Sequence, residues 1–326
     1  MAQEKINLNS VRAGMLSIYA AFREICAKHN LRFYAAYGTA LGAIRHGGFI
    51  PWDDDLDIEM PRSDYDAFLR YAIVELPKGY ELLTWQTTYG YKNLFAKIAI
   101  SNIGYIEQIE KESGVKLGQG LFIDIFPVDG SPASKLARYW RIFRRTILKI
   151  IEYGLTSQNA VQTSCREKTL RFLGKGLRLL FSRFKSVRDV LAAQESIMRE
   201  IPFDGGRYVR QVRSVSTEWR YRNDFSQHDA SLYGKPKLVP FEGTSIFVPE
   251  KTDEYLKCEF GDYMKLPPED DRHPCHVCEK IYPWRLGKIR MSKEPLISIV
   301  IANYNYGRFL ESAIKSVVDQ CWGTAW

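Results

Sequence analysis

Between residues 53 and 60 the chain reads Asp-Asp-Asp-Leu-Asp-Ile-Glu-Met, and no other run limits the fold so tightly. Side chains of an extended strand alternate between its two faces. Asp55 and Asp57 are therefore predicted to project together, while Leu56 and Ile58 enter a core. Adjacent carboxylates repel each other and cost stability unless a cation lies between them. Such a strand belongs beside polar machinery rather than inside a plain apolar sheet. A solvated acidic turn is the simpler alternative.

The surrounding pattern predicts an α+β arrangement. Val11, Met15, Ile18, Tyr19, Phe22, Ile25 and Cys26 recur at three- and four-residue spacing, which marks an amphipathic helix over Asn9–Asn30. A short aromatic strand over Leu31–Ala36 follows, then a helix over Ala40–Arg45, the acidic strand, and a helix over Arg62–Leu76. Leu94–Ile100 and Leu121–Phe126 read as strands, the second ended by Pro127. Leu238–Val248 reads as a hairpin around Gly243 and Asp253–Phe260 as a short helix. With 326 residues, 45% of them hydrophobic, the chain is long enough for one large domain with additions. It shows no apolar leader, no spanning run and no cysteine framework, so a cytoplasmic protein with reduced thiols is expected.

Asp124 stands in a run, Phe122-Ile123-Asp124-Ile125-Phe126, that should otherwise be buried. A lone acid there needs a cation or hydrogen bonds to offset its desolvation. Gly38-Thr39 opens a helix about sixteen residues before the acidic pair, and a helix N-terminus beside a carboxylate-held metal suits a diphosphate. Hard oxygen ligands that leave room for phosphate oxygens favour Mg2+ or Mn2+. Phosphoryl chemistry is the reading these residues support together.

The run Tyr37-Gly38-Thr39-Ala40-Leu41-Gly42-Ala43-Ile44-Arg45-His46-Gly47-Gly48-Phe49-Ile50-Pro51-Trp52-Asp53-Asp54-Asp55-Leu56-Asp57-Ile58 closely resembles the signature of the LicD family, bacterial phosphorylcholine transferases related to fukutin and fukutin-related protein. The likeness continues in Asp64-Tyr65, Phe122 to Asp129, Val239 to Gly243, Phe260 to Met264, Pro267-Pro268 and Arg272-His273-Pro274-x-His276, so it covers roughly residues 5 to 285. It implies a nucleotidyltransferase-like mixed sheet with flanking helices. It also implies transfer of phosphocholine, or another phospho-alcohol, from a CDP-alcohol donor to a glycan or lipid-linked glycan acceptor. On this likeness Asp55, Asp57 and Asp124 are the catalytic and metal-binding acids, with Asp54 the weaker candidate beside them. Asp124 either completes the metal site or takes the proton of the attacking hydroxyl. Gly38, Thr39, Arg45, His46, Asp53, Lys97, Arg272 and His276 are the candidates for holding the donor. Lys97 has a competing explanation as a strand lysine that snorkels to water.

Three features fall outside that pattern. Between Lys135 and Arg188 stand fourteen Lys or Arg and two acids, about +12 in a chain of net charge +8. This basic helical insert, residues 135–199, carries Leu, Ile, Phe and Trp on one face and Arg or Lys on the other. It is expected to lie on an anionic membrane surface at the inner leaflet, or else to pack its apolar face on the catalytic domain with its basic face in water. Cys275 and Cys278, with His273, His276 and Cys258, have the spacing of a zinc site, against the simpler reading of loop thiols. Pro295–Gln320 is similar to the opening strand and helix of family 2 glycosyltransferases. A domain over 1–290 is therefore expected to precede an incomplete glycosyltransferase-like tail over 291–326. Competing functions are a nucleotidyltransferase acting on a sugar or RNA, and an inactive scaffold of a capsule assembly complex. No nucleic-acid partner is expected, because no aromatic-interleaved basic surface accompanies the acids.

Overall fold

The computed structural model describes residues 8–100, 103–105, 121–155, 165–180, 184–211, 227–273 and 281–283. All of them belong to a compact unit, Met1–Arg285. The chain's other unit, Leu286–Trp326, with the tail whose sequence resembles a glycosyltransferase start, lies outside the described residues.

A seven-stranded mixed sheet organises the unit. Its strands are β1 (Tyr34–Ala35), β2 (Asp57–Pro61), β3 (Tyr80–Leu83), β4 (Ala96–Ile100), β6 (Phe122–Ser131), β7 (Tyr208–Gln211) and β8 (His228–Asp229). Strand β5 (Ile103–Tyr105) pairs separately with β11 (Ile281–Pro283). The long strand β6 is central: β2 runs parallel to it on one side, while β4 and then β7 pair antiparallel with it. The second edge explains why Pro127 does not end the strand as expected. β4 pairs with Phe122 to Ile125 and β7 takes over at Val128, so the missing N–H of Pro127 falls where the ladder changes partner.

Helix α1 (Leu8–Lys28) lies on the core with Val11, Met15, Ile18, Tyr19, Phe22, Ile25 and Cys26 buried, the face its spacing predicts. Burying a side chain such as Phe22 contributes roughly 2–3 kcal/mol. Helices α2 (Tyr37–Arg45) and α3 (Arg62–Glu75) flank β2. The acidic run behaves differently from its sequence reading. Only Asp57 onward pairs as strand, so Asp53 to Leu56 is a loop and Asp55 lies just ahead of β2. The expected hairpin is present as β9 (Lys237–Phe241) and β10 (Thr244–Val248). Its two turn residues, Glu242 and Gly243, have φ of 47° and 72°, the twist that a two-residue hairpin turn requires.

The basic insert is helical: α4 (Lys135–Leu155), α5 (Cys165–Leu180) and α6 (Val187–Met198), followed after β10 by α7 (Thr252–Phe260). Gly154 and Gly174 let α4 and α5 cross closely, since a Cβ on either would collide with the other helix. Helix α4 does not divide by hydropathy alone: Ile142, Leu148 and Ile151 are buried, but so are charged residues. Arg141 and Arg145 are buried, whereas Leu136, Trp140 and Phe143 are exposed. Arg141 donates to the Gly130 carbonyl and the Ser131 hydroxyl, groups at the end of β6 that need donors. Among the described residues no helix is long and apolar enough to cross a membrane.

Candidate active site

Three strands and one helix end bring the acids together. Strand register sets Asp57, Asp124 and Lys97 in one row across β2, β6 and β4. Lys97 Nζ stands 3.2 Å from Asp124 Oδ1 and 3.2 Å above the Phe122 ring. At 5% exposure this lysine does not snorkel to solvent. It is a buried cation answered by a carboxylate and an aromatic face.

The N-terminus of α2 locks onto the start of β2. The Asp57 amide donates to Thr39 Oγ1 at 2.8 Å, and the Ala36 amide donates to the Asp57 carbonyl at 3.0 Å. Gly38 matters because a Cβ there would lie 2.6 Å from Asp53 Oδ2, so any larger residue would turn the Asp53 carboxylate away from the first turn of the helix. The loop is held from behind by Arg12 of α1, which donates to the carbonyls of Ile50 (2.7 Å) and Asp53 (3.0 Å). The preceding turn is clamped by Glu242, whose Oε1 accepts from the Phe49 amide at 2.9 Å.

The electrostatics of the cluster follow from crowding. Burial first, then the charges of Asp55, Asp124 and Asp53, push Asp57 well above the usual carboxylate range, with Lys97 pulling the other way. Asp53 is pushed up to about 8 by burial and then by Asp55. Carboxylates that raise one another in this way are eased by a cation placed among them. Among the described residues no three acids, histidines or cysteines already stand in a metal-holding arrangement. The donor chemistry nonetheless fits a hard divalent cation: oxygen ligands only, mutually repelling, beside a helix N-terminus.

The other residues singled out in the sequence are spread more widely. Arg272 lies 5.7 Å above the Trp52 ring, next to the acidic loop, and donates to the Pro267 carbonyl. Arg45 and His46 sit at the C-terminal end of α2, bonded to each other, with Arg45 also donating to the Tyr263 carbonyl. The structure thus brings together Gly38, Thr39, Asp53, Asp57, Lys97 and Asp124, with Asp55 between Asp53 and Asp57, and puts Arg45 and His46 at the far end of the helix. His276, Cys275 and Cys278 lie outside the described residues; Cys258 is exposed.

Two supports escaped sequence reasoning. Arg12 offers no signal, being one polar residue on a helix. Glu59 does: it continues the alternation of Asp55 and Asp57. It is fully buried and accepts from the hydroxyls of Tyr233 (3.0 Å) and Tyr255 (3.2 Å). His228 joins through Tyr233 at 3.3 Å and Glu259 at 3.0 Å.

With this geometry in place, comparison with known proteins is informative. Residues 30–140 match the model of the LicD/FKTN/FKRP nucleotidyltransferase domain, a span that includes every acid of the cluster. The chain is 30% identical over 283 residues to the lipopolysaccharide cholinephosphotransferase LicD of Haemophilus influenzae, covering 85% of this chain and 98% of that protein. Shorter 52-residue matches at 44% identity link it to uncharacterized proteins of Rickettsia prowazekii and Rickettsia typhi, covering 20% and 17% of those proteins. A relative at that identity and coverage, together with the domain match over the acid-bearing strands, places this chain in the LicD family.

Proposed function

We propose that this protein transfers phosphocholine from CDP-choline to a sugar hydroxyl of a surface glycan such as lipopolysaccharide. The observation that carries the reading is the row Asp57–Asp124–Lys97 set against the N-terminus of α2, supported by similarity to a cholinephosphotransferase. Asp55 and Asp57, with Asp124 in reach, would hold a Mg2+ or Mn2+, which would supply charge neutralisation for the donor's diphosphate. The first turn of α2, opened by Gly38, offers backbone N–H groups to the same oxygens. Lys97, 3.2 Å from Asp124 Oδ1, fixes that side chain, so that Asp124 is placed to accept the proton of the incoming hydroxyl. Arg272, beside Trp52, is positioned at the rim to meet negative charge on the donor.

Lipid-linked acceptors place the reaction at an anionic membrane surface. The exposed Leu136, Trp140 and Phe143 on α4 and Phe172 and Leu173 on α5, set among basic residues, support that location. The test of the transfer itself is direct. Purified protein incubated with CDP-choline, Mg2+ and deacylated lipopolysaccharide should release CMP in step with a phosphocholine mass increment on the glycan. CMP release without any modified glycan, or none above a chelated control, overturns the reading.

A further inference from the structure

We propose that Tyr37, Phe95 and Phe126 form the surface that receives the trimethylammonium head of the donor; this rests on the phosphocholine reading above. The argument begins with strand parity. Phe126 is two residues beyond Asp124 on β6 and shares its face, about 7 Å further along. Phe95 is two residues before Lys97 and falls opposite Phe126 when the β4–β6 register is extended by one. The row of acids is thus followed by a row of rings. A phosphate held at the first row and an ammonium joined to it by two carbons reach from one row to the next.

The rings are in mutual contact and half-buried. Phe95 and Phe126 have centroids 4.4 Å apart at 40°, and Tyr37 meets Phe126 edge-on at 6.3 Å and 85°. Partly open aromatic faces beside carboxylates suit a cation that cannot donate hydrogen bonds, because ring faces attract it electrostatically. The same sheet face already does this once, with Lys97 over Phe122.

Tyr37 shows that the arrangement is enforced. Its φ of 41° lies in the left-handed region, which a residue with a large side chain adopts only when its surroundings compel it. The compulsion is visible in the structure. The Tyr37 amide donates to the Tyr255 hydroxyl at 3.4 Å, and that hydroxyl donates in turn to Glu59. Glu59 lies opposite Phe126 in the β2–β6 register, so its carboxyl stands in the same row as the rings. Two tyrosine hydroxyls donate to it, which fixes the carboxyl in that row.

The experiment compares the KM for CDP-choline with the Kd for CDP, which lacks the head, in folded variants checked by circular dichroism. Phe126→Leu, Phe95→Leu and Tyr37→Leu should each raise the KM for CDP-choline about tenfold, the scale of one desolvated cation–π contact, and leave the Kd for CDP within twofold. If Phe126→Leu does not fold, Phe95→Leu, just ahead of β4, carries the test. A wild type that transfers phosphocholine while the leucine variants keep its KM overturns the subsite alone, as does a Kd for CDP that worsens in parallel. A wild type that binds CDP but transfers no phosphocholine overturns the functional reading and the subsite with it.

Discussion

Asp129 and Asp124 lie five residues apart on β6, and their substitution should have opposite consequences. The odd spacing puts them on opposite faces: Asp124 faces the site, whereas Asp129 faces Arg62. Arg62 Nε and Nη2 donate to the two oxygens of Asp129 at 2.8 and 2.5 Å, and Nη1 donates to Glu195 at 3.0 Å. The Arg62 and Asp129 side chains are 8% and 0% exposed. Glu195 belongs to α6, where Arg199 also reaches it and bonds Asp66 of α3. The network therefore fastens the helical insert to the sheet.

Breaking a buried pair from one side costs about 3–5 kcal/mol. Glu195 remains beside Arg62 after Asp129→Leu, so the lower end applies, near 3 kcal/mol. At about 2–4 °C per kcal/mol for a chain this long, the melting temperature should fall by roughly 6–12 °C. Arg62→Met should differ in its pH dependence. Arginine cannot shed its proton, but an abandoned Asp129 can take one up, and burial already holds Asp129 above the usual carboxylate range against the pull of Arg62, Arg199 and Arg141. A carboxyl raised in the folded state favours folding most below its unfolded pKa, and that advantage is lost as pH rises through the folded value. Arg62→Met should therefore be nearer wild type at pH 5 than at pH 8, while the Asp129→Leu deficit should move the opposite way, shrinking as pH rises, because the raised carboxyl it removes favours folding less there. The double variant should recover most of the loss, since an apolar pair leaves no stranded charge. Thermal melts by circular dichroism at the two pH values decide the matter. An Asp129→Leu melt within 2 °C of wild type, or identical pH profiles for the two single variants, would refute the reasoning.

Four further outcomes are expected. Asp57→Asn should lower phosphocholine transfer by at least about 100-fold while melting no earlier than wild type, because it removes a repelling charge; lost activity with lost folding would count against a catalytic role. Mg2+ should raise the melting temperature more with CDP-choline present than alone, as diphosphate oxygens complete the ligand shell, and equal shifts in wild type and Asp57→Asn would argue against that acid as a ligand. Glu242→Ala should cost about 1 kcal/mol through the lost bond to the Phe49 amide and raise KM before it lowers kcat, read from melts and initial rates. Trp140 fluorescence should shift to the blue with phosphatidylglycerol vesicles, not with phosphatidylcholine alone, and Phe143→Ser with Leu136→Ser should abolish the shift; equal response to both lipids would remove the electrostatic part of the membrane reading.

Periodicity carried the sequence reading where one residue type answers to one environment. The apolar stripe of α1 has a single place to go, and the alternation around Asp57 leaves its neighbours Leu56 and Ile58 buried at 1% and 0% exposure. The same logic extended the acidic strand too early, because alternation continues through a loop that Arg12 holds by its carbonyls. Asp57 is the first residue of the run to pair with β6, and pairing is a property of two strands that neither spells out alone. Pro127 shows the same limit from the other side: a proline forbids a ladder bond but does not say whether a partner would have been there to make it.

The insert was harder because a helical period defines two faces without saying which one turns inward. Hydrophobicity alone would send the Trp140 side to the core along with Ile142, Leu148 and Ile151, which are buried. What reverses it is the demand of Gly130 and Ser131 for donors at the end of β6, met by Arg141, while Arg145 is buried on the same side. An arginine stem is largely apolar, so burying it forfeits little once its guanidinium is bonded. The exposed aromatic face then exists because the inward face was already committed. The row of rings beside the acids is legible only by combining both lessons. Phe126 follows Asp124 by parity, but Phe95 and Tyr37 join it through a strand register and a left-handed backbone that no local pattern encodes.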